Sequence, residues 1–165
     1  MSTQPQPRKR SQVPAKSSTP ASAGLVTMPE GVVFPRVKRR QSRLHGWGVF
    51  ALEAIPKNKR IIAYTGERIS HAESSRRERH YLKDGSIWCF LLNRRWVIDG
   101  HVGGNDARYI NHSCKPNCYT QIIDGLIWVR AARSIAAGEE LTYNYYTDGA
   151  GKIRCLCRPG CDTML

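Results

Sequence analysis

Short apolar runs with a period near two dominate the chain from residue 34 onward, the pattern of half-buried strands rather than helices. "VFPRVKRRQS" and "WGVFALEAI" read as short strands around a turn at Gly46–Gly48, and "KRIIAYTGE" (59–67) as another strand ending in a turn. "IWCFLLN" (87–93) and "RWVIDG" (95–100) pair as a hairpin. "CYTQIIDGLIWVRAA" holds Asp124-Gly125 between two β-rich runs, the strongest short hairpin signal. "GEELTYNYY" closes the apolar part, and its Tyr143 and Tyr145 share one face if the segment is extended. One segment breaks the pattern. Ser70 followed by Glu73 is a capping box, which predicts a polar helix over 71–82. The expected fold class is mainly β with short helices.

Residues 1–33 lack this patterning and are rich in Pro, Ser and Thr. Such a stretch cannot bury enough apolar surface to offset the entropy of ordering it, so it is expected as a disordered basic tail. Its "RKR" at 8–10 is a candidate contact with nucleic acid, and Lys16 a candidate modification site.

Composition narrows the class. The 165 residues suffice for one domain with a modest core. Lys and Arg number 26 against 13 Asp and Glu, and a formal charge of +13 favours polyanionic partners such as nucleic acid or a chromatin-like complex. No run of about 18 apolar residues argues for a transmembrane helix, and the N-terminus has no apolar signal core. Six cysteines without such a signal point to free or metal-bound thiols in a reducing compartment rather than to disulfides.

Four constellations carry chemistry. In "RLHGWGVFA", Gly46 and Gly48 flank Trp47, so backbone can approach a ligand beside a flat indole face. "GGNDARYINHSCKPNC" (103–118) gathers Asn111, His112 and two cysteines among few apolar residues; its amide and imidazole suit an adenine or carboxylate edge. Tyr143 and Tyr145 of "EELTYNYY" could line an apolar channel. "CLCRPGC" brings Cys155, Cys157 and Cys161 around a Pro-Gly turn. A structural zinc takes four ligands, so the fourth must come from elsewhere, with Cys114 or Cys118 available. The C-terminus is then expected to fold back onto the 103–118 stretch.

In this order the motifs "HGWGVFA", "YTGE", "GGNDARYINHSCKPNC", "GEELTYNY" and "CLCRPGC" resemble a SET-domain protein-lysine methyltransferase with a post-SET zinc tail, over about residues 36–161. The resemblance implies a fold of small twisted β-sheets with a C-terminal pseudoknot, a rare departure from unthreaded topology. It divides the chain into a tail (1–33), a SET domain (34–148) and a post-SET tail (149–165). With no cysteine-rich segment ahead of the domain, the chain resembles the compact stand-alone type.

The resemblance also implies roles, residue by residue. S-adenosylmethionine would be the methyl donor, lying against Gly46 and Trp47, hydrogen-bonded by Asn111 and His112, touched by Ile87 and Trp88, and capped by Leu156. Tyr145 would be the catalytic tyrosine, and Tyr143 would tune how many methyl groups are added, its hydroxyl favouring monomethylation. Cys114, Cys155, Cys157 and Cys161 would hold the zinc, while Cys118 matches no ligand. The implied partner is a protein carrying a target lysine, such as a histone or nucleoid-type protein. The enzyme is expected as a monomer inside the cell, cytoplasmic in a bacterium and nuclear in a eukaryote. The competing reading is a basic chromatin- or nucleic-acid-binding module that keeps the fold without catalysis. Three departures stand out: Trp88 where many relatives carry Tyr, Asn144 where Asp is common, and a C-x-C-x3-C spacing one residue short of the usual.

Overall fold

The computed structural model describes residues 22–146 and 153–165. The "RKR" motif, Lys16 and the expected boundary at 148/149 lie outside them.

Eleven short strands among the described residues form four small sheets. Strand β1 (Ser22–Val26) pairs antiparallel with β5 (Gly66–Ser70), β5 with β7 (Trp96–Asp99), and β7 with β6 (Cys89–Leu91). A second sheet orders β4 (Arg60–Tyr64), β10 (Leu126–Ala131) and β9 (Cys118–Ile123). Strand β2 (Val37–Gln41) pairs with β3 (Trp47–Ala51) as a two-stranded ribbon. Strands β8 (Asn111–His112) and β11 (Thr142–Tyr143) form a two-residue parallel pair. Apolar side chains from all parts converge on one core, including Val49, Ile61, Ile98, Ile110, Ile127, Val129 and Leu141.

Local chemistry explains most of these elements. Asp124 and Gly125 both have positive φ (52° and 74°), as a tight two-residue turn between β9 and β10 requires. Helix α1 runs His71–Tyr81, capped by the Ser70 hydroxyl accepting from the Glu73 N–H at 3.3 Å, one residue short of the expected end. A 3₁₀ turn, Leu82–Asp84, continues it to Gly85 at φ 67°.

Four expectations are corrected. Residues 22–33 are not all tail: β1 hydrogen-bonds along the edge of β5, Arg68 donates to the Ala23 carbonyl, and the Met28 sulfur accepts from the Ala63 N–H at 3.1 Å. An open sheet edge satisfies backbone groups whatever the side chains, so composition alone misses such a strand. The run 59–67 is two strands in different sheets, broken at Thr65. There Gly66 packs so close to Asp99 that a Cβ would collide with its carbonyl. The turn expected at Gly46–Gly48 lies earlier, with Ser42 N–H donating to the Gly46 carbonyl, and Gly48 is inside β3. Of "GEELTYNYY" only Thr142–Tyr143 is strand.

Candidate active site

The β8–β11 pair is the structural centre of the site. Its two strands come from segments some thirty residues apart and are locked by one side chain. Asn117 Oδ1 accepts from the Thr142 N–H (2.9 Å), and its Nδ2 donates to the Glu140 carbonyl (2.8 Å). Glu140 in turn accepts from the Ser42 hydroxyl (2.8 Å) and from Asn111 Nδ2 (2.8 Å). The turn before β3, strand β8 and the approach to β11 therefore meet on one carboxylate.

Beside this junction lies a cavity of about 280 Å³. Every residue the resemblance assigns to a cofactor lines it: Gly46, Trp47, Ile87, Trp88, Asn111, His112, Tyr145 and Leu156. Sequence reasoning missed other parts of the wall. Arg108 and Tyr109 precede β8 in the same motif, and Ile153, Arg154 and Leu165 come from the C-terminal tail. Arg39 was missed too; its guanidinium lies between the rings of Trp47 (4.9 Å) and Tyr109 (4.8 Å). The basic residue in "DARY" was a readable signal. The tail residues carried none, because only the fold brings them back.

The polar groups are already committed. Asn111 Nδ2 lies within reach of the His45 and Trp47 carbonyls as well as Glu140, so it ties the Gly46 turn to β8. His112 Nδ1 accepts from the Tyr145 N–H (3.3 Å). That fixes the proton on Nε2, which faces Cys114 Sγ at 3.4 Å. Both ring nitrogens thus have partners inside the protein. Burial pushes the His112 pKa below the ordinary histidine value. Trp88 is held through its carbonyl, which accepts from Tyr64 Oη (2.7 Å) and Gly100 N–H (2.9 Å). Its ring meets Tyr109 edge-on at 5.9 Å.

Tyr145 Oη donates to the Ile110 carbonyl at 2.9 Å. The Tyr145 ring lies 5.1 Å from Tyr143, Tyr143 5.8 Å from Phe90, and Phe90 5.3 Å from Tyr64. In this aromatic file Tyr64 and Tyr143 are buried and Phe90 and Tyr145 half-buried, and desolvation raises the pKa of Tyr64, Tyr143 and Tyr145 above the usual phenol range.

The sulfurs of Cys114, Cys155, Cys157 and Cys161 all lie within 4.8 Å of one another. Individual separations are 3.9 Å (Cys114–Cys155), 3.7 Å (Cys114–Cys161) and 3.8 Å (Cys157–Cys161). Four thiolates about 2.3 Å from a tetrahedral zinc stand roughly 3.8 Å apart, so the set fits that ion despite the short C-x3-C spacing. Hydrogen bonds from Thr163 hold the Cys161 thiol down at about 6, toward the thiolate a metal needs. Cys118, the alternative fourth ligand, is instead buried at the start of β9, where desolvation pushes its thiol up to about 12. The tail closes on itself through paired backbone bonds between Ile153 and Leu165, and the cluster anchors it against β8.

Comparison with known proteins agrees with this architecture. The family described as SET domain matches residues 46–146. A histone-lysine N-methyltransferase, H3 lysine-4 specific, of Debaryomyces hansenii is 44% identical over 136 residues, 76% of this chain and 12% of that protein. Its counterpart in Candida albicans is 39% identical over 165 residues, 93% of this chain and 15% of that one. Among solved structures, Chaetomium thermophilum Polycomb Repressive Complex 2 bound to the inhibitor GSK126 aligns with a TM-score of 0.64 at 36% identity, over 69% of this chain and 16% of that one. An autoinhibited ctPRC2 bound to S-adenosylmethionine aligns equally well, at 0.64 and 35% identity, over 69% and 15%. This chain therefore spans only a small part of the length of the relatives it matches. With a family match over more than half its residues, on a mainly β fold shared with these structures, the chain belongs to the SET-domain family.

Proposed function

We propose that the protein transfers methyl groups from S-adenosylmethionine to the side-chain amine of a lysine in a histone. The observation that carries this reading is the convergence of residues from 46 to 156 on one cavity, with Tyr145 in its wall and Tyr143 packed directly behind. A binding-only module has no need of that convergence. The printed names of the curated relatives support the histone as substrate class, and their eukaryotic sources support a nuclear location.

The cavity suits such a cofactor chemically. The aromatic side chains Trp47 and Trp88 in the wall suit an adenine ring and a sulfonium cation. Arg108 Nε is a buried donor with no partner among the described residues, available to a polar group of a ligand. When bound, the cofactor supplies an electrophilic methyl group on sulfur. Tyr145 then orients rather than abstracts, because its raised phenol stays protonated through neutral pH. A lysine amine has an ordinary pKa near ~10.4. Desolvation along the file of Phe90, Tyr143 and Tyr145 rings lowers it, so its proton passes to water before transfer. Alignment and exclusion of water supply most of the rate. Cys114, Cys155, Cys157 and Cys161 would hold zinc in a structural role. The Tyr143 hydroxyl, on the ring packed against Tyr145, would hold a water where a further methyl group would go, which favours monomethylation.

The test is transfer of labelled methyl groups to histones and other DNA-associated proteins, followed by mass analysis of the products. We expect transfer to a histone, a fall of about 10²-fold or more in Tyr145→Phe, and a larger dimethyl fraction in Tyr143→Phe. Absence of both transfer and cofactor binding would overturn the methyltransferase reading. An unchanged product ratio in Tyr143→Phe would overturn monomethylation alone.

A further inference from the structure

We propose that the outward face of β2, with the turn that follows it, is a docking surface for the phosphate backbone of duplex DNA. Most of the chain's positive charge is not in the N-terminal tail. Residues 1–21 hold four Lys and Arg of the net +13, and the remaining nine positive charges belong to the rest of the chain. Five cations, Arg36, Lys38, Arg39, Arg40 and Arg43, fall in eight consecutive residues, and all five are exposed. Between residues 31 and 66 the single acidic residue is Glu53, which pairs with Arg36 at 2.9 Å. Lys38, Arg39, Arg40 and Arg43 form no ion pair among the described residues.

The pleat sorts these charges. Lys38 stands opposite Phe50 and Arg40 opposite Gly48, so both project to the same face of the β2–β3 ribbon; the Glu140 carboxylate also lies on that side, at Gly48, where Ser42 and Asn111 donate to it. The Arg40 guanidinium lies over the Phe50 ring at 6.0 Å, and both Lys38 and Arg40 are exposed. Arg36, one step earlier in the same alternation, extends the row. Successive cations along it are about 7 Å apart, a regular ladder suited to a regularly charged polyanion. Arg39 points the opposite way, to the cavity wall, and is not part of the surface. Among the described residues β2 pairs with β3 alone. A second exposed group, Lys57, Lys59 and Arg60, continues the positive field. Arg60 lies over Trp128 (5.4 Å), and Phe34, just before β2, stacks on the same ring (5.2 Å). A row of cations over this length fits a regularly charged phosphate backbone.

The proposal does not depend on methyl transfer, and its test needs no cofactor. Binding of a fluorescent duplex is followed by anisotropy from 50 to 200 mM salt, with the whole chain. The variant Lys38→Gln/Arg40→Gln/Arg43→Gln should weaken binding tenfold or more at the lower salt. It should also flatten the slope of log K against log salt by about 2.7, three phosphate contacts at 0.9 each. Arg8→Gln/Lys9→Gln/Arg10→Gln should keep most of the affinity. The surface variant should still methylate a short peptide like the wild type, so loss of DNA binding is separable from failure of the enzyme reading. No binding by the wild type, or binding lost with the tail variant and kept in the surface variant, overturns the proposal. Equal binding to poly-glutamate at the same surface would assign the face to an acidic protein and overturn it too.

Discussion

Gly46 and Gly48 stand two residues apart in one motif for different reasons. Gly46 has φ 44° in a turn and open space where a Cβ would be, so its demand is conformational. Gly48 sits in a regular strand, yet a Cβ there would collide with the Glu140 carboxylate and come within 3.0 Å of Ser42 Cβ. The sequence shows two glycines around a tryptophan; it does not show that a glutamate ninety residues later needs the second one's empty side. Glu140 cannot swing away freely, because Ser42 and Asn111 hold it. Gly48→Ala should therefore destabilise the fold by about 1–3 kcal/mol through overpacking and weaken cofactor binding by releasing Asn111. Thermal melting and cofactor titration check both parts; a variant as stable as the wild type would show that Glu140 relaxes without cost. That Asn111 and His112 belong to the cavity wall was legible from their motif. Their commitments to backbone and sulfur were not, since those depend on which carbonyls the fold delivers.

At the scale of elements, α1 was legible from its cap, and the β9–β10 hairpin from Asp124-Gly125, because both signals are local. What joins α1 to the sheet was not. Arg77 reaches across to Glu67 on β5 (2.6 Å) and Asp99 on β7 (2.8 Å) while also bonding Glu73 (2.7 Å). Asp99 is fully buried, and Tyr81 and the His101 N–H complete its hydrogen bonds. A buried carboxylate that loses its cation is left uncompensated, so Arg77→Met should cost about 3–5 kcal/mol, measured by denaturant unfolding. A loss under about 1 kcal/mol would mean that the network is no more than a surface pair. The same network sets an acid limit. Hydrogen bonds from Arg76 and Arg77 lower Glu73 from 4.5 to about 2. Its contribution to stability is therefore complete above about pH 4.5 and drains away as the pH falls toward 2. Strand β1 marks the opposite case. Its pairing uses an edge that any extended backbone can join, so nothing in "SAGLV" announces it.

Across the whole molecule, the thiol cluster and the aromatic file are two ends of one connection. Cys114 faces His112 Nε2, His112 Nδ1 takes the Tyr145 N–H, and the Tyr145 hydroxyl is aimed by the Ile110 carbonyl. Cysteine spacing predicted that the tail returns to the 103–118 stretch, with Cys114 or Cys118 as the fourth ligand. The imidazole strut beyond it was invisible, because a histidine next to a ligand cysteine reads equally well as a binding group. Metal binding and the position of Tyr145 should then be coupled in one direction more than the other. Removing zinc with a chelator releases the tail that carries Ile153, Leu156 and Leu165, so cofactor affinity and kcat should both fall. His112→Asn keeps the four thiols and should keep one zinc per chain in a metal assay, yet lose kcat by about tenfold or more with little change in KM. That split separates a strut from a ligand-binding side chain, whose loss would appear in cofactor affinity first. A variant with normal kcat and weakened cofactor binding would return His112 to the role its motif implies and remove the link between metal and tyrosine.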